Sequence, residues 1–340
     1  MQKIKLYNAH CCGEIGDVIV SGNVNLKGKN ILEQSKFLFD DKKLRNFLLN
    51  EPRGGVFKHY NLLVPPNNEI AKAAFIIMEP EDNPPMSGSN SICVATVLLE
   101  KDIIKMNEPI TEFFLEAPGG IIPIKAFVEN KKVRFVEIHN LPSFVDKLDV
   151  KLQTPSFGEI IVSTVFGGDS FVICNAEDFD LTIKPDNAKK FVEISKEIVR
   201  EANTNLGFKH PTLSDLNFIS FCQFIEPIKI NNLNQKEGWN TVCIRPGKLD
   251  RSPCGTGTSA RLALMYTKNE INLNEKFISR SIIGSTFESY ITSEYTEKNK
   301  KMIIPSIKGS AFITGEQEMY ISGDDPFPEG YQINDTWPKN

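Results

Sequence analysis

Two short segments of this chain repeat one pattern, and that repeat constrains the fold more than any other feature. Pro85-Met86-Ser87-Gly88-Ser89-Asn90-Ser91-Ile92 and Pro253-Cys254-Gly255-Thr256-Gly257-Thr258-Ser259 each set a side chain with a nucleophilic atom ahead of glycine and small hydroxyl residues. Each then opens an apolar run, Ile92–Leu99 in one case and Ala260–Tyr266 in the other. One such loop is unremarkable in a long chain. Two, one in each half of 340 residues, imply duplicated α/β halves facing each other across a cleft. The length agrees, since a chain of this size suits two domains of roughly 150 residues each.

Between these loops the sequence is mostly strand-like. Lys3–Leu6, Asp17–Ser21, Tyr60–Pro65 and Ala74–Glu79 are rich in β-branched and apolar residues. A meander is expected from Phe113 to His139, with turns at Pro118-Gly119-Gly120 and Glu129-Asn130, and further strands at 217–227 and 240–246. Residues 30–49 fit one amphipathic helix through Leu38, Leu44, Phe47 and Leu48. The spacing predicts a second over 187–206, with Phe191, Ile194, Ile198 and Ala202 on one face. The run Ile92–Leu99 has no polar face and should be a helix buried on all sides.

A loop that opens a helix has a definite chemical use. The first turn carries N–H groups without intrahelical partners, and the macrodipole draws anions to that end. Gly88, Gly255 and Gly257 let backbone approach a ligand closely. Two such helix starts could hold one small carboxylate, with Ser87 and Cys254 beside its Cα. Removing the α-proton of an amino acid drives charge onto that carboxylate, where preorganised N–H donors stabilise it without metal or pyridoxal phosphate. A helix start also lowers a thiol's pKa from about 8.5, which would make Cys254 an acid or base near neutral pH. The plainer alternative is a buried, inert thiol.

Composition excludes other classes. Hydrophobic residues at 41%, charged residues at 24% and a net charge of −4 describe an ordinary globular chain with no basic patch for nucleic acid. No apolar run reaches the roughly 18 residues of a membrane span, and the amino-terminal residues read as a strand, not a signal peptide. Seven scattered cysteines argue against a disulfide framework and for a cytoplasmic location. No metal is expected, because neighbours in His10-Cys11-Cys12 point to opposite faces of a strand and no second cluster completes a site. His59, His139 and His210 stand alone in the sequence and read as structural. The glycine-rich stretches match neither a P-loop nor a dinucleotide-binding turn, so no cofactor is expected.

The segment Asp250-Arg251-Ser252-Pro253-Cys254-Gly255-Thr256-Gly257-Thr258-Ser259-Ala260-Arg261 resembles the second catalytic motif of the proline racemase family. That family comprises proline racemases, 4-hydroxyproline 2-epimerases and trans-3-hydroxy-L-proline dehydratases. The resemblance runs the length of the chain. It takes in His10-Cys11-Cys12-Gly13-Glu14, Glu51-Pro52-Arg53-Gly54, Phe166-Gly167-Gly168-Asp169-Ser170-Phe171 and Ile283-Gly284-Ser285-Thr286-Phe287. It implies an α/β (α+β) fold of two similar domains, each a curled, mostly antiparallel sheet around a central helix, as in diaminopimelate epimerase, with the active site between them. The expected division is residues 1–141 plus 318–340, carrying Ser87, and 142–317, carrying Cys254. It implies Cys254 as an acid/base residue, Gly88, Ser89, Gly255 and Thr256 as the carboxylate cradle, and Asp250 as the contact for the ring amine.

One departure is informative. The family's racemases carry Met-Cys-Gly-His at the first motif, where Met86-Ser87-Gly88-Ser89 stands here. A racemase needs acid/base groups on both faces of Cα, and a hydroxyl is a far poorer base than a thiolate. In trans-3-hydroxy-L-proline the Cα–H and the 3-hydroxyl share a ring face, so one residue could take the proton and return it to the leaving group. The expectation is therefore a dehydratase forming Δ1-pyrroline-2-carboxylate with Ser87 and Cys254. The alternative is 4-hydroxyproline 2-epimerase or proline racemase activity, alone or at the same site; a binder of proline-like ligands that has lost catalysis is the reading outside enzymes. The partner is a small imino acid, with no nucleic acid or membrane; a homodimer is allowed but nothing in the sequence requires it.

Overall fold

The computed structural model describes residues 2–22, 24–212 and 216–337. The chain divides into two compact units, residues 1–138 with 309–340 and residues 139–308. In the first unit the chain runs β1 (Gln2–Cys11), β2 (Glu14–Ile15), β3 (Asp17–Ser21), α1 (Ile31–Asp41), α2 (Lys43–Leu49), β4 (Tyr60–Val64), β5 (Ala71–Met78), α3 (Gly88–Glu100), β6 (Ile110–Ala117), β7 (Gly120–Glu129) and β8 (Lys132–His139). The strand Ala311–Ile321 returns late in the chain and pairs antiparallel along the whole of β1. From that strand the sheet order is β1, β3, β4, β5, β6, β7, β8. The pairings are antiparallel except for two parallel steps, β3 to β4 and β5 to β6.

The second unit repeats this plan. It runs β9 (Phe144–Thr154), β10 (Gly158–Phe166), β11 (Ser170–Asn175), α4 (Ala188–Asn205), β12 (Phe221–Ile225), β13 (Lys229–Ile230), β14 (Lys236–Ile244), β15 (Lys248–Leu249), α5 (Gly255–Thr267), β16 (Phe277–Arg280), β17 (Thr286–Glu297) and β18 (Lys300–Gly309). The order β9, β10, β11, β12, β14, β16, β17, β18 again has two parallel steps, at β11 to β12 and β14 to β16. A parallel step needs a crossover connection. In each unit the first crossover carries surface helix, α1–α2 or α4, and the second carries the central helix, α3 or α5. The duplication legible in two short loops is thus a duplication of whole topology.

The sheets are curled. α3 touches β1, β3, β7 and the strand Ala311–Ile321, which lie toward opposite ends of one strand order, and α5 likewise touches β9, β10 and β17. Every residue of α3 from Gly88 to Leu99 is buried, as the unbroken apolar run requires. α4 instead buries one stripe, Phe191, Ile194, Ser195, Ile198 and Ala202. Around α5 the core joins Ala260, Leu262 and Leu264 to Val165, Phe171, Val242, Phe277 and Ile291. Among the described residues no helix is long and apolar enough to cross a membrane.

Two expectations change. The helix expected over residues 30–49 is two helices, broken where Lys42 takes a left-handed conformation (φ 60°). The break turns Arg45, Phe47, Leu48 and Leu49 inward together, which one straight helix through Ile31 and Leu38 would not achieve. The small-residue segments are also not loops ahead of their helices. α3 begins at Gly88 and α5 at Gly255, so glycine and hydroxyl residues form the first turn itself. Their poor helix propensity hides this in the sequence, but burial inside a closed sheet overrides propensity.

The start of α5 sits hard against the β10–β11 turn. A Cβ on Gly167 would lie 2.1 Å from the Thr256 carbonyl oxygen and 2.4 Å from the Ala260 nitrogen, backbone atoms with no room to yield. The Gly167→Ala substitution should therefore cost about 1–3 kcal/mol through overpacking. A urea midpoint equal to that of the parent protein would refute this account of the turn.

Candidate active site

In the first unit, Ser87 stands at the end of the connection from β5 to α3. Arg45 clamps that connection by donating to the carbonyls of Glu79 (2.8 Å), Pro80 (3.2 Å) and Asp82 (3.1 Å), and to the Asn83 side chain. Burial pushes the Arg45 pKa down to about 10, so the guanidinium stays charged and its bonds stay charge-assisted. The Gly119 N–H donates to the Pro85 carbonyl (2.7 Å), and Met86 is buried. Ser87 is the N-cap residue in extended conformation, yet its side chain does not cap the helix. Its Oγ accepts instead from Asn90 Nδ2 (2.9 Å) and lies 3.5 Å from Ser89 Oγ. Ser87, Gly88 and Ser89 are thus together at one helix start, half-buried or buried.

In the second unit the equivalent position is more constrained. Cys254 has φ 60° and ψ 113°, outside the comfortable regions for a residue with a side chain, a strain of about 1–3 kcal/mol. Surrounding bonds hold it. The Ser252 hydroxyl accepts from the Cys254 N–H (3.2 Å), while Asn240 Nδ2 (2.7 Å) and Thr258 Oγ1 (3.2 Å) donate to the Pro253 carbonyl. Cys254 Sγ accepts from the Gly257 N–H at 3.3 Å and lies 3.4 Å from Thr256 Oγ1. Glycine is needed at 257, since a Cβ there would sit 2.9 Å from Val242 Cγ2 and 3.3 Å from the sulfur. Asp250, tied by its N–H to the Val242 carbonyl (2.9 Å), is close enough for its charge and a hydrogen bond to act on the thiol.

The electrostatics reverse one expectation. The helix start was expected to lower the Cys254 pKa; the group is raised well above the ordinary thiol value. Burial is the largest cause and the Asp250 charge the next, and together they outweigh the Thr256 hydroxyl and the Gly257 N–H. At rest Cys254 is a thiol. The dipole argument fails because it counts the donors and omits the water lost on enclosure.

Several residues that matter here escaped the sequence reading. Asn61 Nδ2 donates to Asn90 Oδ1 (2.8 Å), so a strand residue braces the Ser87 helix. Asn140 Nδ2 donates to the Gly167 carbonyl (3.0 Å) and to Ser259 Oγ (2.7 Å), bracing α5 in the same way. The one available signal was asparagine within an otherwise apolar strand, Tyr60-Asn61-Leu62-Leu63-Val64. Nor is His59 isolated; it is buried with Glu14 Oε1 at 3.8 Å from Nε2 and Glu79 Oε1 at 3.7 Å from Nδ1. The two carboxylates meet opposite edges of one ring, and among the described residues no His, Cys, Asp or Glu group could hold a metal ion. Arg261, the last motif residue, is structural: fully buried, it donates to the Trp239 and Glu226 carbonyls, both at 2.6 Å. None of the seven cysteines forms a disulfide.

Comparison with known proteins places this geometry. The residue pattern that defines the proline racemase family matches residues 6–332. A hydroxyproline epimerase from Agrobacterium vitis, solved with bound trans-4-hydroxy-L-proline, is 33% identical, with 99% of this chain and 96% of that one covered and a TM-score of 0.91. A probable proline racemase from Agrobacterium radiobacter K84, solved with bound carbonate, is 34% identical over 98% of both chains with a TM-score of 0.90. A PhzF-family phenazine biosynthesis protein from Bacillus anthracis shares the fold at 14% identity, with 94% of this chain and 100% of that one covered and a TM-score of 0.59.

The raised thiol has a kinetic consequence. If turnover begins with the Cys254 thiolate, kcat/KM should climb with pH beyond the ordinary thiol value of about 8.5, because the raised pKa keeps the base protonated below that. Removing the Asp250 charge with Asp250→Asn should move the rising limb to lower pH while KM increases. A limb that stays in place would separate Asp250 from the thiol's titration.

Proposed function

Because this chain belongs to the proline racemase family, we propose that it exchanges the Cα proton of a hydroxyproline and that its reaction is 2-epimerisation of 4-hydroxyproline. The observation that carries this reading is the similarity, at 33% identity along 99% of the chain, to an epimerase that holds trans-4-hydroxy-L-proline. In the proposed roles, the backbone N–H groups of Gly88 and Ser89 and those of Gly255 and Thr256 hold the substrate carboxylate. Asp250 takes the cationic ring nitrogen. Cys254 and Ser87 are the acid/base groups.

The chemistry follows from charge. Deprotonation at Cα spreads negative charge onto the carboxylate, and N–H donors fixed at a helix start meet that charge without reorganising. Asp250 opposes formation of the Cys254 thiolate in the free protein. A cationic imino acid beside Asp250 offsets that opposition, so the thiolate forms as the substrate arrives. The base is thereby active mainly when it has something to deprotonate.

Dehydration of trans-3-hydroxy-L-proline is the second reading, and Ser87 favours it. A serine hydroxyl at the first motif is suited to giving a proton and ill suited to taking one. Dehydration makes no demand for a base on that face, whereas reversible epimerisation does. The reading expected from the sequence therefore rests on one residue, and the epimerase reading on the similarity of the whole chain.

Two substrates in parallel separate the readings. With trans-4-hydroxy-L-proline in heavy water, an epimerase incorporates deuterium at Cα and changes the optical rotation. With trans-3-hydroxy-L-proline, a dehydratase releases an imine that reacts with o-aminobenzaldehyde. Under either reading Cys254→Ala should lower kcat by about 10²–10⁴-fold. Turnover of neither substrate, or full activity in Cys254→Ala, would overturn the proposal.

A further inference from the structure

The repeated motifs treat their leading residues differently. At α5 the Cys254 sulfur accepts from a backbone N–H, that of Gly257. At α3 the corresponding position is Asn90, and Ser87 Oγ accepts from its side chain instead (2.9 Å). The direction of that bond is set from outside the helix. Asn61 Nδ2 faces the Asp17 backbone carbonyl at 3.4 Å, and a carbonyl can only accept. The same Nδ2 donates to Asn90 Oδ1 at 2.8 Å, which leaves Asn90 only its Nδ2 to turn toward Ser87. Flipping Asn61 would set oxygen against the Asp17 and Asn90 oxygens, and flipping Asn90 would set its amide nitrogen against that of Asn61, in a site where both asparagines are fully buried. Gly16 closes over Asn90 as well, since a Cβ there would lie 3.0 Å from Asn90 Oδ1.

We infer that Asn90 is a positioning residue that fixes the polarity of Ser87, holding Oγ as an acceptor within the protein so that the hydroxyl proton is presented outward. The inference rests on the proposed role of Ser87 at substrate Cα. Asn90 also makes Ser87 a better acid. When the Ser87 O–H bond breaks and its proton forms the new Cα–H bond, the electron pair left on Oγ is stabilised by the Asn90 N–H. Running that step backward would need Oγ already ionised. Ser87 is thus biased toward giving a proton, and the base that removes the L-substrate's α-proton is Cys254.

The near-isosteric Asn90→Asp tests this. The introduced carboxylate still accepts from Asn61 but cannot donate to Ser87, and it draws the hydroxyl proton back into the protein. At neutral pH, kcat should fall by roughly tenfold to a hundredfold with KM little changed, measured with whichever of trans-4- and trans-3-hydroxy-L-proline turns over. Below the titration of the introduced carboxyl the loss should recover, because a protonated carboxyl again has a donor for Oγ. The parent protein should show no such recovery. The neighbouring titratable groups, Asp17 paired with Lys58, Glu14, Cys12 and Cys93, are common to both proteins. Should Asn90→Asp fail to fold, Asn90→Ala serves: it frees Ser87 to cap α3, and kcat should fall at all pH values. In a Ser87→Ala background, either Asn90 substitution should have no further effect on kcat. Unchanged kcat in a folded Asn90 variant, while Ser87→Ala is inactive, overturns the inference and spares the functional reading. Full activity in Ser87→Ala overturns both.

Discussion

The architecture of each unit follows from one constraint: a helix without a polar face must be enclosed on every side. α3 has no solvent face, and only a sheet that curls around it, bringing opposite ends of its strand order to the same helix, removes all of its surface from water. Enclosing a helix does not satisfy its amino end. The first-turn N–H groups still need acceptors, and in both units they are reached through a segment of glycine and small hydroxyl residues. A concentrated set of donors at the end of a dry helix is what stabilisation of a developing carboxylate charge requires.

Enclosure also sets the local electrostatics, and against the simplest expectation. A helix dipole acts through partial charges and is offset when water is withdrawn from the group it favours. For Cys254 the withdrawal and the Asp250 charge prevail, and the thiol stays protonated. In the proposed reaction a cationic substrate next to Asp250 would offset that charge, coupling substrate binding to formation of the base. The left-handed backbone of Cys254 and the exclusion of any side chain at Gly167 and Gly257 belong to the same requirement, that the residue at the helix start be aimed and not merely present.

The two units share one pairing pattern across eight strands each, yet their helix starts have diverged. Backbone supplies the partner of Cys254; a side chain supplies that of Ser87. A pair of asparagines anchored to one carbonyl costs burial of two amides, which only complete hydrogen bonding offsets. Among the described residues Asn61 Oδ1 has no hydrogen-bond partner, so the relay retains a cost. Duplication provides the frame, and substitutions within the first turn of each helix then differentiate the two positions chemically.

Local patterning determined much of this protein in advance. Alternating and apolar runs marked most strands, unbroken hydrophobicity marked the enclosed helix, and the repeated small-residue segments marked the duplication and drew attention to Ser87, Gly88, Ser89, Cys254, Gly255 and Thr256, while Asp250 was singled out only by the family resemblance. These signals are carried by neighbours in sequence, where side-chain period and turn chemistry act directly. Tertiary structure alone decided the break at Lys42, the helical state of the glycine-rich first turns, the bracing by Asn61 and Asn140, and the protonation of Cys254. Each depends on groups far apart in the chain: a core that two short helices fill better than one, a sheet that overrides propensity, amides that meet only when strands pair, and burial that no residue acquires by itself.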